Sequence, residues 1–555
     1  MILPRESFGA ALGILRKSAS ADALNVLVLC ACDADSLCCL HILTVWHFTF
    51  SHCPNHLIAF FTTPPHPPTQ TLLQKERVTY RQRPVAVRED LEAADAEFRA
   101  PGAQFTSVFL INCGGTLPLA SVLPSAPASA VLYVIDSHRP YHPANVADTE
   151  KVVLLGGEHD TTEPSSADAA AARGGGEEPA SKRPRRSTTT TTNEGDDDQE
   201  ERGEEERGQE GEQPEEEGSF YGASAAEVAF WLAESEGRDG DADVQWWAIV
   251  GATDQLVHRR VPRAAYDAFA RGMRRRLGAA AAASTTAGET VAAAAEIAAV
   301  RELRLVLLRH WSLYESLLHS PAFAARLGLW RQNGRAKLAL LLARAGIPLA
   351  QSRAPYTALP APVRARAAAR LPACLARPRN GAGGSGNSSN NNTDDLTIDT
   401  FVRDVRGARG RVKVAAADAV HAADAVLAAR APDAFWRAHT ALAAGAAHAN
   451  ALVNALAAAR DQQRAVVAQA AAMLAARAIV LAGPFRYALL HESALLPRFL
   501  HPLALARLAH FLMDALNVCS CFPVILVLSH FVFPSTGNPT QQKAPAPRSS
   551  QRGHT

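Results

Sequence analysis

The sequence has no dominant charge: 56 lysines and arginines stand against 55 aspartates and glutamates, leaving +1. That excludes a chain-wide basic field able to hold nucleic acid through its phosphates, so any DNA contact has to come from a local groove. Cysteine is scarce as well, nine in all with five before position 55. A disulfide scaffold is excluded, and with no secretory signal at the start a reducing, intracellular compartment is expected. Long clean apolar runs are missing too. The stretch 42–61 is broken by His47, His52, Pro54, Asn55 and His56, and 518–533 is short and carries Pro523 and His530. Neither offers the roughly 20 uninterrupted apolar residues of a membrane span. No membrane contact is expected.

What the chain does have is apolar material for sizeable cores: 48% of its 555 residues are hydrophobic and 20% charged, which predicts two or three folded domains. The sharpest boundary is 161–218, a stretch with almost no large apolar side chains that passes through a glycine triplet, a threonine tract and an acidic run beginning at Glu194. It cannot offset its ordering entropy and is expected to be a disordered acidic linker. Inside it lies the basic cluster Lys182-Arg183-Pro184-Arg185-Arg186, of the kind importins read, although a patch balancing nearby acid is the plainer reading. A second flexible loop is expected at 380–396, rich in Gly, Ser and Asn.

Before residue 160, short β-rich runs at 24–29, 107–111, 131–135 and 152–155 are joined by segments long enough for helices, a parallel α/β pattern. After 218, a helical stretch at 225–233 leads to an apolar run at 245–250 that reads as a further strand of the same sheet. Further on, 302–318 places Leu303, Val306, Leu307, Trp311, Tyr314 and Leu318 on one helical stripe, read as core rather than interface. The alanine-rich segments 415–427 and 434–480 favour helix by intrinsic propensity.

In open α/β sheets ligands gather where strands end, because loops and helix N-termini with unpaired donors converge there. The strand ends carry Cys32-Asp33-Ala34-Asp35-Ser36, Asn112-Cys113-Gly114-Gly115, Asp136-Ser137-His138-Arg139-Pro140 and Gly251-Ala252-Thr253-Asp254. Aspartate and histidine at such a convergence suit Mn²⁺ or Mg²⁺, and a metal pair would activate water against a phosphodiester. Each element also has a plainer role: Asp35 as a helix N-cap, His138 in a turn, the glycine pair in a tight loop. Cys30, Cys32, Cys38 and Cys39 lack the spacing of a zinc site and read as small buried hydrophobes.

These strings, together with Ala248-Ile249-Val250-Gly251-Ala252-Thr253-Asp254-Gln255, Leu308-Arg309-His310-Trp311-Ser312-Leu313-Tyr314-Glu315-Ser316 and Ala343-Arg344-Ala345-Gly346-Ile347-Pro348-Leu349, resemble the cell division control protein 45 family of eukaryotic replication factors. The resemblance runs over about residues 20–516. It implies kinship with RecJ-type DHH phosphoesterases and an α/β fold: a DHH-like parallel-sheet domain at 1–160 and 219–280, a helical insertion at 281–379, and a C-terminal DHHA1-like domain at 397–516, α/β or mostly helical. Two stretches depart from the family, an atypical insertion at 44–71 and an atypical tail at 517–555, both read as translated non-coding sequence.

The resemblance also implies a nuclear DNA replication initiation and elongation factor, a scaffold of the replicative helicase with the MCM hexamer and the GINS complex. Carried over residue by residue, the DHH site leaves Asp33, Asp35, Asp136, His138 and Asp254 in place. Asn112 and Ser137 stand where the phosphoesterases have an aspartate and a histidine. Losing that much ligand charge predicts a pseudo-enzyme with no cofactor and no metal. The alternative is an active metal-dependent single-strand nuclease or phosphoesterase using the surviving five. A third possibility is passive single-stranded DNA binding along the old groove, with Arg139 as a contact.

Overall fold

The computed structural model describes residues 1–9, 25–44, 79–100, 105–156, 218–286, 296–375, 396–407, 410–443, 446–482, 485–491, 493–516 and 525–529. The atypical insertion beyond Thr44, the acidic linker with its basic cluster, most of the loop at 380–396 and most of the tail lie outside them. The chain forms two compact units, Met1–Ala294 and Ala295–Thr555.

The first unit is an α/β domain around a six-stranded, wholly parallel sheet. Its strands are β1 (Ile2–Leu3), β2 (Asn25–Ala31), β3 (Thr79–Val85), β4 (Phe105–Ile111), β5 (Val131–Ile135) and β6 (Val152–Leu155), in the spatial order β1-β6-β5-β4-β2-β3. Four of these are the runs anticipated from their valine, isoleucine and leucine content. The register pairs Cys30 with Ile111 and Ile111 with Ile135. The C-terminal ends of β2, β4 and β5 therefore lie side by side, and with them the three motif-bearing loops.

Helix α1 (Ala34–Thr44) follows β2 directly and is buried on every side. Its all-round apolar sequence is what a helix needs when it is sandwiched rather than laid on a surface. Helices α2 (Arg88–Phe98), α3 (Ala225–Ser235) and α4 (Ala242–Val257) follow, and α1 packs against α3 and α4. On one face of the sheet, Leu27, Leu29, Val108, Leu110, Leu132 and Val134 form a core with Leu91 and Phe98 of α2.

The strand expected at 245–250 is the middle of α4. A short apolar run cannot by itself distinguish a buried strand from a buried helix, and here the deciding signal is Asp241, whose carboxylate accepts from the Asp243 N–H at 2.8 Å as the helix cap. Helix α5 (Arg263–Thr286) then runs through position 280, where the α/β domain was expected to end.

The second unit begins with a strand, β7 (Ile297–Leu303), where the stripe at 302–318 had suggested one continuous helix. Leu307 adopts a left-handed backbone, φ 53°, which no helix can contain. A 3₁₀ turn follows at Leu308–His310, and helix α6 (Leu313–His319) starts only after Ser312, whose hydroxyl accepts from the Glu315 N–H at 3.1 Å. Helices α7 (Pro321–Leu327), α8 (Gly334–Arg344) and α9 (Ala361–Leu375) complete the segment.

Strands β8 (Thr397–Gly407) and β9 (Gly410–Ala415) form an antiparallel sheet with β7, β8 in the centre. Helices α10 (Ala416–Ala428), α11 (Ala434–Leu442) and α12 (Ala449–Ala475) realise the expected alanine-rich helices, but Val480 belongs to a strand, β10 (Ile479–Ala482). That strand pairs antiparallel with β11 (Phe485–Leu490). After α13 (Pro502–Ala515), strand β12 (Ile525–Ser529) pairs in parallel with β11, so part of the tail read as foreign joins a sheet. The core gathers Leu317, Phe323, Leu338, Leu342, Phe499, Leu508 and Phe511. Trp311 and Tyr314 are buried, in keeping with the core reading.

Candidate functional site

The strand ends bring Asp33, Asp35, Asn112, Asp136, Ser137 and His138 together, and α4 adds Asp254. Asp33 is the residue before α1 and accepts from the Ser36 N–H at 2.7 Å, so Asp33, not Asp35, caps that helix. Asp35, the second residue of α1, is completely buried and points toward α3. One carboxylate oxygen accepts from Ala225 N–H (2.9 Å), Asn112 Nδ2 (3.0 Å) and Gln255 Nε2 (3.1 Å), and the other from Ala226 N–H (2.9 Å). Ala225 and Ala226 are the first residues of α3, so a helix N-terminus receives an anion supplied by the chain itself. Burial and nearby Asp33 still push the Asp35 carboxyl above its ordinary value, against the pull of these donors.

Asn112 sits in the left-handed region, φ 49°, a conformation asparagine tolerates better than most residues. Its amide oxygen accepts from the Ser137 N–H at 2.9 Å while its amide nitrogen donates to Asp35. The side chain thus uses its donor and its acceptor at once. An aspartate could supply only the second.

Asp136 accepts from Gly115 N–H (2.8 Å) and His138 N–H (2.9 Å), and its Oδ1 lies 2.7 Å from His138 Nδ1. Burial would raise the Asp136 pKa, but the hydrogen bonds and the charge of His138 win and hold it low. Burial would likewise lower His138, and the bond to Asp136 wins there too, raising it. Short antiparallel strands at His138–Arg139 and Phe220–Tyr221 set the His138 ring against Tyr221, with centroids 5.0 Å apart. Ser137 is fully buried and its carbonyl accepts from Gly222 N–H at 2.8 Å.

Asp254 is fully buried; Arg260 donates to its Oδ2 at 2.9 Å and His258 Nε2 lies 3.4 Å from its Oδ1. Burial opposes the Arg260 charge, but Asp254, Asp33 and Asp35 outweigh it and raise its pKa. Arg260 therefore stands as a cation of the cleft, its guanidinium 5.5 Å from the Tyr221 ring centre. The sequence reading missed Arg260, Gln255 and Tyr221. Their only signal was proximity to the Asp254 block, or position after the linker, and neither shows which way a side chain points.

Arg139, expected as a DNA contact, is buried: its guanidinium donates to the Asp136 carbonyl at 2.5 Å and the His138 carbonyl at 2.9 Å, and lies 3.8 Å from the Tyr141 ring centre. It braces the motif from inside. The donor set does not fit a pair of divalent cations, because both Asp35 oxygens are engaged by N–H groups and Asp254 is paired with Arg260. Cys30, Cys38 and Cys39 are buried, in keeping with small buried hydrophobes, and burial pushes their thiols well up, with Cys32 raised to about 12.

This arrangement can be set against known proteins. The chain is 28% identical to the mouse cell division control protein 45 homolog over 346 residues, 60% of this chain and 56% of the mouse protein. With the fission yeast homolog it shares 27% identity over 584 residues, 93% of this chain and 85% of that protein. The chain thus spans little more than half the length of its mammalian relatives and most of the yeast one. Among solved structures, CDC45 from Entamoeba histolytica superposes with a TM-score of 0.63 at 19% identity, covering 93% of this chain and 84% of that one, which shows a shared fold. The CDC45 family model matches residues 69–218, 158–433 and 428–521, and on that match the chain belongs to the CDC45 family.

Proposed function

We propose that the protein is a non-catalytic DNA replication factor, acting in the nucleus as a scaffold that joins GINS to the MCM hexamer. Family membership supports the replication role. The observation that carries the non-catalytic part is the Asn112 amide, which bridges the Ser137 N–H and the Asp35 carboxylate. With an asparagine among its carboxylates, Asp35 engaged by four N–H donors and Asp254 paired with Arg260, the cleft is short of the ligand oxygens a reacting metal pair takes, which supports reading its polar groups as structural ties. The basic cluster Lys182-Arg183-Pro184-Arg185-Arg186 supports nuclear import.

The test is affinity capture of the full chain from a replicating cell extract. MCM and GINS subunits are expected to co-purify, and recovery of neither overturns the scaffold reading. A manganese-supplemented assay on single-stranded DNA addresses catalysis separately: no hydrolysis is expected, and turnover abolished by Asp33→Ala with Asp136→Ala would establish the nuclease alternative instead.

A further inference from the structure

Between residues 316 and 393 the chain carries eleven arginines and lysines and not one aspartate or glutamate, although 55 acidic residues occur in the whole. Nine of those cations fall in described residues, on or between α7, α8 and α9, and all but Arg364 are exposed. The same helices turn Leu338, Leu341, Leu342, Val363, Ala367 and Leu371 into the core. The cations therefore lie on the outward side of rigid, packed elements. Elsewhere in this unit arginines have acidic partners: Arg309 holds Glu302 through both guanidinium nitrogens, and Arg403 holds Glu296. The segment 316–393 has no acid of its own to play that part.

The charges are also gathered. The turn after α8 passes through Gly346, φ 70°, whose carbonyl accepts from Arg366 at 2.9 Å. A methyl group on Gly346 would meet the Arg370 guanidinium at 3.3 Å and the Arg366 stem at 3.6 Å. Two arginines one turn apart on α9 thus converge on the turn that Arg344 enters, while Arg335 and Lys337 lie on the first turns of α8. Like charges held this close repel one another, and a polyanion that displaces their counterions gains free energy.

Arginine predominates, and its planar fork suits phosphate oxygens. Aromatic platforms are lacking on this face among the described residues: Phe323 is fully buried, and Trp330 and Tyr356 pack against the core. Single strands are gripped by stacking bases on exposed rings, whereas a duplex offers only backbone to such a surface.

We propose that the exposed cationic face of α8 and α9 binds the phosphate backbone of duplex DNA without regard to base sequence. This goes beyond the scaffold reading and does not depend on it. The experiment is fluorescence anisotropy of the full chain with a labelled random-sequence DNA duplex of about 24 bp, from low to moderate salt. Affinity should fall steeply with salt. Removing two phosphate contacts with Arg366→Gln and Arg370→Gln should weaken binding roughly tenfold and flatten the log–log salt slope by about 1.8.

Arg335→Gln with Lys337→Gln should behave alike, and Arg366→Lys with Arg370→Lys should keep most of the slope. Circular dichroism checks that the variants are folded. Wild-type affinity and slope in both glutamine pairs overturn the proposal. So does a single strand of equal length that outcompetes the duplex for these residues, or polyglutamate that displaces the duplex as effectively as unlabelled DNA at equal charge.

Discussion

Asn112 is the side chain on which the electrostatics of the cleft turn. Replacing its amide with a carboxylate would set an oxygen about where its nitrogen now lies, 3.0 Å from an Asp35 oxygen. Two such carboxylates cannot both be charged cheaply, so one pKa of the pair must rise. A group whose folded pKa is raised contributes stability only at low pH and loses it as pH climbs through the folded value. Asn112→Asp should therefore cost about 2–4 kcal/mol near neutrality and distinctly less at pH 5, read by urea unfolding at the two pH values. A pH-independent loss would show that the bridge is not electrostatic.

The Asp136–His138 pair obeys the opposite bookkeeping at each end. Asp136 is held below its ordinary 3.8, so its contribution is present above that value and is lost as pH falls through the lower, folded one. His138 is raised above 6.5, so its contribution is complete below 6.5 and fades as pH rises through the folded value. The His138 side chain is 38% exposed, so water screens the effect. An NMR titration should place His138 above 6.5 and drop it in Asp136→Asn, and the stability gap between wild type and that variant should be wider at pH 6 than at pH 9.

At the scale of elements, the parallel strands were legible because their branched apolar runs have strand length and turn-rich borders. The two misread segments show where periodicity stops deciding. Residues 245–250 read as strand because a helix buried between neighbours shows no polar face, and 302–318 fitted a helical stripe although Leu307 turns left-handed within it. In both places a cap marks the helix start: Asp241 before α4, and the Ser312-x-x-Glu315 spacing before α6. Capping chemistry outranked hydrophobic pattern. Asp33, Asp35 and Asp136 were legible because they follow the ends of successive strands, whereas Asp254 and Gln255 reach the site through the packing of α4 and Arg260 from the turn after it.

That packing is tight at Gly251. A methyl group there would lie 2.4 Å from the Ala226 side chain and 2.6 Å from Asp35 Oδ1. Alanine favours a helix interior by up to about 1 kcal/mol over glycine, yet forcing α4 off α3 costs more and disturbs the donors around Asp35. Gly251→Ala should be destabilising by about 1–3 kcal/mol in thermal unfolding. Gly272→Ala in α5 makes the control: its methyl meets nothing within 4 Å, so the same exchange should stabilise by about 0.5–1 kcal/mol.

Across the whole molecule, the net charge of +1 averages over segregated parts: an acidic run from Glu194 to Glu217 offsets a carboxylate-free stretch at 316–393. Composition alone therefore pointed away from the basic face that the structure exposes. The hydrophobic cores are segregated too, one around Leu29 and Leu110 and another around Phe499 and Phe511, in separate compact units. A molecule with two cores need not unfold in one step. Phe511 is 1% exposed and stands edge-on to Trp330 at 6.2 Å, so Phe511→Ala leaves a cavity worth about 3–5 kcal/mol. Calorimetry should show the transition of residues 295–555 moving down by several degrees while that of 1–294 moves less, with the His138 titration keeping its wild-type midpoint. Equal displacement of the whole endotherm, or a shifted His138 midpoint, would mean that the two cores melt as one cooperative body.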